Sequence, residues 1–347
     1  MRGRKPAVGL VVLAVVAILG SAVIASATTP GKNGRIVFRR YLDVGKTTSS
    51  IFTVKPDGTK MRQVTRPRHG VDDREPDWSP NGKKIAFERQ SPCPAGGVKD
   101  GLNSTCDVVY TVKPNGKGLK SLVPCRFKVG SGTGAPNTDC VGVDQPAWSP
   151  DGTQVAFVYN LANAAYVDSL RLSAGVWIVN VGGHGLRQVT QRTPGNSWDF
   201  GPGWSADGRK IVFERFDLDR QASAVFTVDV DGGSLLRVTP WELNGGNSPD
   251  WSPDGRWILF RSEPSNDLYK VHPDGTGLTN LTNGSGSYLG SSFSPDGSMI
   301  ATSRTPGAGL EAAADVFVMN ADGSRMRQIT KTRLWESAAD WGTAPLR

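Results

Sequence analysis

Trp251-Ser252-Pro253-Asp254-Gly255 is the stretch whose recurrence decides the fold. Near copies stand at Trp78-Ser79-Pro80-Asn81-Gly82, Trp148-Ser149-Pro150-Asp151-Gly152, Trp204-Ser205-Ala206-Asp207-Gly208 and Phe293-Ser294-Pro295-Asp296-Gly297, with a truncated copy at Trp341-Gly342. Self-similarity at such a period marks a repeat architecture. Each copy reads as a strand that ends in a tight turn. Pro presets φ at the first corner, Asp hydrogen-bonds the backbone ahead, and Gly supplies a positive φ.

Working outward, a second β-prone run follows each turn, as in Lys84-Ile85-Ala86-Phe87, Gln154-Val155-Ala156-Phe157 and Lys210-Ile211-Val212-Phe213. A third run comes after a variable loop, over residues 51–54, 109–112, 176–179, 225–228, 268–271 and 316–319. It closes in hairpin turns such as Pro56-Asp57-Gly58 and Pro114-Asn115-Gly116, and a fourth run such as Arg62-Gln63-Val64-Thr65 or Arg187-Gln188-Val189-Thr190 completes the unit. Four antiparallel strands per repeat predict an all-β fold, a six-bladed β-propeller of four-stranded blades. The chain opens on a second strand, Gly34-Arg35-Ile36-Val37-Phe38, and ends on a first strand, Ala339-Asp340-Trp341. Pairing the C-terminal strand with the N-terminal blade is expected to close the ring and remove its open edge.

The unit x-P-x-W-S-P-D-G-x-x-I-x-F, followed by V-F-x-V-x-x-D-G and R-x-V-T, resembles the WD40-like PD40 repeat of TolB-type β-propellers. Related blades also occur in the propeller domains of some peptidases and in oligogalacturonate lyases. The resemblance runs from Gly31 to Trp341 and implies the propeller fold. It does not imply a function, because such propellers carry many roles. TolB has an α/β domain ahead of its propeller; here the first blade strand follows soon after the N-terminal segment, so the expected match is to the propeller alone, over residues 31–347.

Residues 1–27 read differently. Arg2, Arg4 and Lys5 precede an apolar run over 7–24, and Ala25-Ser26-Ala27 fits a small-residue cleavage site, so a secretory signal peptide is expected. The apolar run also approaches the length of a membrane span, and an uncleaved anchor is the rival reading. Either way the propeller is expected outside the cytoplasm, secreted or at the cell envelope.

The formal charge of +8 includes those leader residues, and cations such as Arg62, Lys120, Arg187, Arg237 and Arg327 fall on outer strands, where they discourage edge pairing. No Lys/Arg cluster is dense enough to follow a phosphate backbone, so no nucleic-acid partner is expected. The four cysteines, Cys93, Cys106, Cys125 and Cys140, are confined to the second blade and its exit, and in an exported chain predict two disulfides. Three pairings are open. Cys93 with Cys106 and Cys125 with Cys140 is favoured, each closing a short loop and constraining the unfolded chain by about 3 kcal/mol.

Insertions at 91–105, 124–143 and 160–175 all fall on loops expected at one face, which reads as a binding face or as a face tolerant of insertion. Blade links toward that face carry Trp198, Trp241, Tyr288 and Trp335, with the carboxylates Glu75, Asp144, Asp199 and Glu336 close by. Aromatics beside carboxylates suit a sugar ring or an extended peptide, and these eight residues are the expected ligand site at the channel mouth; packing against the blade core is the plainer alternative. A ring of carboxylates and amides there could hold Ca²⁺, but no D-x-D-x-D-G loop is present and no cofactor or metal site is expected.

His69, His184 and His272 are scattered, with no H-E-x-x-H, no G-x-S-x-G elbow, and no Walker or Rossmann fingerprint. No catalytic residue is assigned. The sequence is therefore read as a monomeric, non-catalytic propeller binding a protein, peptide or cell-envelope polymer, touching a membrane only through an uncleaved N-terminal segment. A polysaccharide lyase or hydrolase with acidic channel residues is the alternative.

Overall fold

The computed structural model describes residues 28–92, 105–122, 127–128, 137–138, 143–161, 173–190, 197–306 and 313–344. The expected signal peptide, Cys93, Cys125, Cys140, the Cys106 side chain and most of the three insertions lie outside the described residues. Among the described residues, no helix is long and apolar enough to cross a membrane.

The turns form as their residues dictate. In Trp148-Ser149-Pro150-Asp151-Gly152 the Ser149 hydroxyl accepts from Gln154 N at 2.9 Å, and Asp151 Oδ1 accepts from Thr153 N at 2.9 Å. Gly152 takes φ 70°, which returns the chain into the second strand. The result is a four-stranded antiparallel sheet, Val143–Trp148, Gln154–Leu161, Ser173–Asn180 and Arg187–Gln188, in which neighbours in sequence are neighbours in space. Three more sheets of the same order are led by Ser197–Trp204, Gly245–Trp251 and Ser287–Phe293.

The fourth strand is shorter than the sequence suggests, two residues such as Arg62–Gln63 rather than four. The reason is chemical. After the bridge, Val64 N donates to Ile51 O at 2.8 Å, and the ladder is then finished by a side chain, Thr65 Oγ1 accepting from Ile51 N at 3.0 Å. The same threonine bond recurs at Thr190 with Val176, Thr239 with Val225, Thr282 with Leu268 and Thr330 with Val316.

Apart from the two-residue strands Phe127–Lys128 and Asn137–Thr138, which pair with each other, the remaining strands form one sheet of two four-stranded halves. Asp72–Trp78, Ile85–Pro92, Thr105–Val112 and Lys120–Ser121 make one half. The other joins the chain ends: Glu336–Thr343 pairs antiparallel with Asn33–Tyr41, Val37 opposite Asp340, and Ser49–Val54 and Arg62–Gln63 follow. A single parallel bridge, Ser49 with Asp72, links the halves and makes the sheet mixed.

The leading strands touch in chain order, and Glu336–Thr343 in turn touches Asp72–Trp78. Packing lies between successive sheets. Trp204, Ile211 and Phe213 of one sheet bury against Ala147, Ala156, Val176 and Ile178 of the sheet before it, and Trp341 packs in the same way against Ala301, Val316 and Val318. Each such Trp contributes a gross burial gain of roughly 4–6 kcal/mol. The hairpin glycines let the sheets close up. At Gly58, φ 82°, an added Cβ would stand 2.7 Å from Ile329 O, and at Gly116, φ 81°, 2.6 Å from Val64 O, both carbonyls of the preceding unit.

Candidate functional site

The leading strands share an irregularity three residues before the aromatic. Glu75, Gln145, Gly201, Ser248 and Ala338 have φ between 51° and 63°, Gly290 has φ 146°, and the register with the neighbouring strand shifts there. A bulge of this kind bends the strand and turns side chains toward a new direction. One direct consequence is a bond between leading strands, Gln145 Oε1 accepting from Gly201 N at 2.7 Å.

A second set of bonds ties neighbouring leading strands just before the aromatics. The unpaired edge of a leading strand carries backbone N–H groups that must find acceptors when buried. Asp340 Oδ2 accepts from Trp78 N at 2.9 Å, Asp77 Oδ2 from Trp148 N at 2.6 Å, and Asp250 Oδ2 from Phe293 N at 2.7 Å. Ser292 Oγ fills the same place for Trp341 N at 3.2 Å and donates to Asp340 Oδ1 at 3.0 Å. All four side chains are buried. Sequence reasoning missed them. The signal for the three aspartates was the repeated Asp-Trp at 77–78, 250–251 and 340–341.

At the other end of the leading strands carboxylates and arginines pair between the leading and second strands, the arginine lying on the second strand in three pairs and on the leading strand in the Arg74–Glu88 pair. Arg215 Nε and Nη2 donate to the two oxygens of Asp199 at 2.6 and 2.8 Å. Arg89 meets Asp73 in the same two-point fashion at 2.5 and 2.8 Å. Arg40 Nε donates to Glu336 Oε1 at 2.6 Å, and Arg74 Nε to Glu88 Oε1 at 2.6 Å. Burial pushes the Asp73 and Glu336 carboxyls up in spite of these arginines. Burial alone would lower the Arg74 guanidinium, but Glu88 beside it overrides this and raises it. Two-point guanidinium pairing fixes a carboxylate in place.

The expected ligand residues are thus distributed unequally. Asp199 and Glu336 are buried in ion pairs, and Glu75 is buried at its bulge. Asp144 lies on Val143–Trp148, with its side chain outside the described set. Tyr288 is 0 % exposed, its hydroxyl 2.7 Å from Ser285 Oγ, and Trp335 is 9 % exposed beneath Lys46, whose Nζ stands 3.7 Å above the ring. Both are packed, Tyr288 with Leu259, Phe293 and Ile300 and Trp335 with Leu289, Ala314 and Ala338.

Trp198 and Trp241 are half-buried. Trp198 packs between Phe200 and Phe216, each 6.2 Å away by ring centroid. Trp241 begins the short turn Trp241–Leu243, rests on Phe226 at 5.7 Å, and is approached by Arg220 and Arg237. Among the described residues no three His, Cys, Asp or Glu side chains cluster as metal ligands would.

Glu214 is a buried acid outside the expected set, visible in sequence only as Phe213-Glu214-Arg215. Burial pushes its carboxyl to about 7, with Ser223 Oγ donating at 2.5 Å, Glu263 raising it further and Arg261 of the next sheet opposing. The folded state therefore holds a proton that the unfolded chain releases above its ordinary 4.5. This contribution is complete below that value and is lost as pH rises to about 7. Glu214→Gln is expected to flatten the stability-against-pH curve over this interval by up to about 3 kcal/mol, read from urea melts at several pH values.

Residues 137–308 match the TolB beta propeller domain family, PD40. An uncharacterized peptidase, YuxL of Bacillus subtilis, is 31% identical over 127 residues, 35% of this chain and 17% of that protein. An uncharacterized Agrobacterium fabrum protein, Atu1656, is 24% identical over 176 residues, 40% of this chain and 58% of the relative. The chain thus spans well under two thirds of the curated relatives it matches. Among solved structures, TolB from Acinetobacter baumannii superposes with TM-score 0.64 at 16% identity, covering 91% of this chain and 68% of that one.

Proposed function

We propose, from the premise that this chain is a PD40-repeat β-propeller of the TolB-like family, that it is an exported binding module rather than an enzyme. In this reading residues 31–347 form six blades closed into a ring by the pairing of Asn33–Tyr41 with Glu336–Thr343, and residues 1–27 direct export to the cell envelope. Its ligand is a protein, a peptide or an envelope polymer, taken by a monomer at the loop-bearing end of the ring.

The observation that carries the reading is the state of the carboxylates there. A general acid, a general base or a Ca²⁺ ligand must present an available oxygen. Asp73, Asp199 and Glu336 are each engaged by an arginine. Trp198 and Trp241 keep part of their aromatic surface accessible, and Trp241 is flanked by Arg220 and Arg237, which favours stacking and hydrogen bonding.

Affinity capture from the native envelope tests this, with the double variant Trp198→Ala, Trp241→Ala as comparison. Tyr288 and Trp335 are left intact because they are packed. Capture of one component by the parent, weakened at least about tenfold in a variant of unchanged circular dichroism, is the expected result; a loss worth about 1.4 kcal/mol or more marks a binding anchor. Equal capture by both chains removes the aromatics from the site. Turnover of a glycan by the purified protein would replace the binding reading with the lyase or hydrolase one.

A further inference from the structure

Asp250 is fully buried, and its two oxygens are treated differently. Oδ2 accepts from Phe293 N at 2.7 Å and lies 3.0 Å from Thr28 Oγ1; Oδ1 has no hydrogen-bond partner among the described residues. Thr28 is itself 2 % exposed, and its hydroxyl also stands 3.1 Å from Phe293 O and 3.4 Å from Ser292 Oγ. One hydroxyl carries one proton and cannot satisfy the Asp250 carboxylate and the Phe293 carbonyl together. Burial pushes the Asp250 carboxyl well above its ordinary range, and the nearby Asp340 carboxylate pushes it the same way. Asp250 thus has neutral donors on Oδ2, an open Oδ1 and no ion pair with a cation among the described residues.

Thr28 is also the residue that follows Ala25-Ser26-Ala27. We infer that removal of residues 1–27 makes Thr28 the mature amino terminus, and that its α-ammonium is the missing counter-charge of Asp250. The inference rests on the export reading above. Hydrolysis of the Ala27–Thr28 peptide bond by a leader-cleaving protease takes one water, leaves a carboxylate on Ala27 and frees an amine on Thr28 that is protonated at neutral pH. Three bonds separate this nitrogen from Oγ1, which keeps it within about 3–4 Å of the hydroxyl that already touches Asp250.

An uncleaved chain has one uncharged amide N–H at that point. The mature chain has three donors and a positive charge, which is what a buried carboxylate requires. The chain then leaves along the turn of the last full repeat, Gly31 N donating to Pro295 O at 2.9 Å and Asn33 Nδ2 to Asp296 Oδ2 at 2.9 Å. The turn-bearing end of the ring is occupied by the chain's own terminus. A ligand entering the ring is left with the opposite, loop-bearing end.

The test uses the full chain, expressed with its own leader and recovered after export. Intact mass is expected to show a start at Thr28. Acylation of the α-amine at neutral pH, followed on the N-terminal peptide by mass spectrometry, is expected to run at least about tenfold slower than in a free peptide of the same sequence, because a paired ammonium is a poor nucleophile. Asp250→Asn is expected to restore the fast rate, and Thr28→Val, which removes the hydroxyl anchor and leaves the charges, serves where the first variant fails to fold; it should raise the rate part of the way. A start at Thr28 with an amine as reactive as the free peptide overturns the pairing and leaves the export reading standing. A chain recovered from the envelope that keeps residues 1–27, or is cut elsewhere, overturns the pairing and leaves export standing; a chain found only in the cytoplasm overturns both.

Discussion

Asp199→Ala is expected to destabilise the protein by about 3–5 kcal/mol, because it strands a buried guanidinium rather than merely deleting a surface charge. Arg215 is 7% exposed at its side chain, gives Asp199 two parallel hydrogen bonds at 2.6 and 2.8 Å, and lies against the Phe213 and Phe226 rings. Without the carboxylate its charge stays in that setting with no counter-ion. The check is a double-mutant cycle by urea denaturation. Asp199→Ala combined with Arg215→Met should recover much of the loss, since an apolar chain of similar length refills the space without the charge. A single variant as stable as the parent would show that the pair is solvated in solution and that Asp199 remains available to a ligand after all.

Trp204→Ala should cost a comparable amount, about 3–5 kcal/mol, by a different route. The indole is 2 % exposed, is wedged between its own sheet and the one before it, and donates from Nε1 to Ala147 O at 3.1 Å. Its removal leaves a cavity at the seam and a carbonyl without its donor, and rigid β-sheets collapse little to fill such a gap. Each sheet packs mainly on its neighbours, so the damage should be local. Hydrogen exchange is expected to accelerate in Gln154–Leu161, Ser173–Asn180 and Lys210–Asp217 while the strands around Trp341 keep their protection. Uniform acceleration would mean that the sheets melt as one cooperative unit.

The two substitutions probe features that differ in how openly the sequence displays them. Trp204 stands in the repeated Trp-Ser-x-Asp-Gly, and its burial follows from that repeat alone. Asp199 is one acidic residue among many in the chain. That it pairs with Arg215 depends on the register that sets Asp199 opposite Arg215 across two strands. Tyr288 shows the converse. Its position in a blade link left ligand site and core packing both open; the fold buries it fully, with its hydroxyl 2.7 Å from Ser285 Oγ in the turn that precedes it. A link's solvent face is set by how the link folds back, which no local pattern encodes.

The sequence by itself determined whatever rests on short-range chemistry: the Ser-Pro-Asp-Gly turns, the four-strand unit, the order of strands, and the aromatic that each unit buries. These depend on contacts a few residues apart, such as Ser149 with Gln154 and Asp151 with Thr153. Only the tertiary structure decided which polar groups answer one another between sheets far apart in sequence. Asp340 meets Trp78 N, Asp77 meets Trp148 N, and Thr28 meets Asp250, partners separated by 262, 71 and 222 residues. Any buried N–H requires some acceptor, but the choice of acceptor is made by the bulges and the closeness of neighbouring sheets, and those exist only once the sheets have packed.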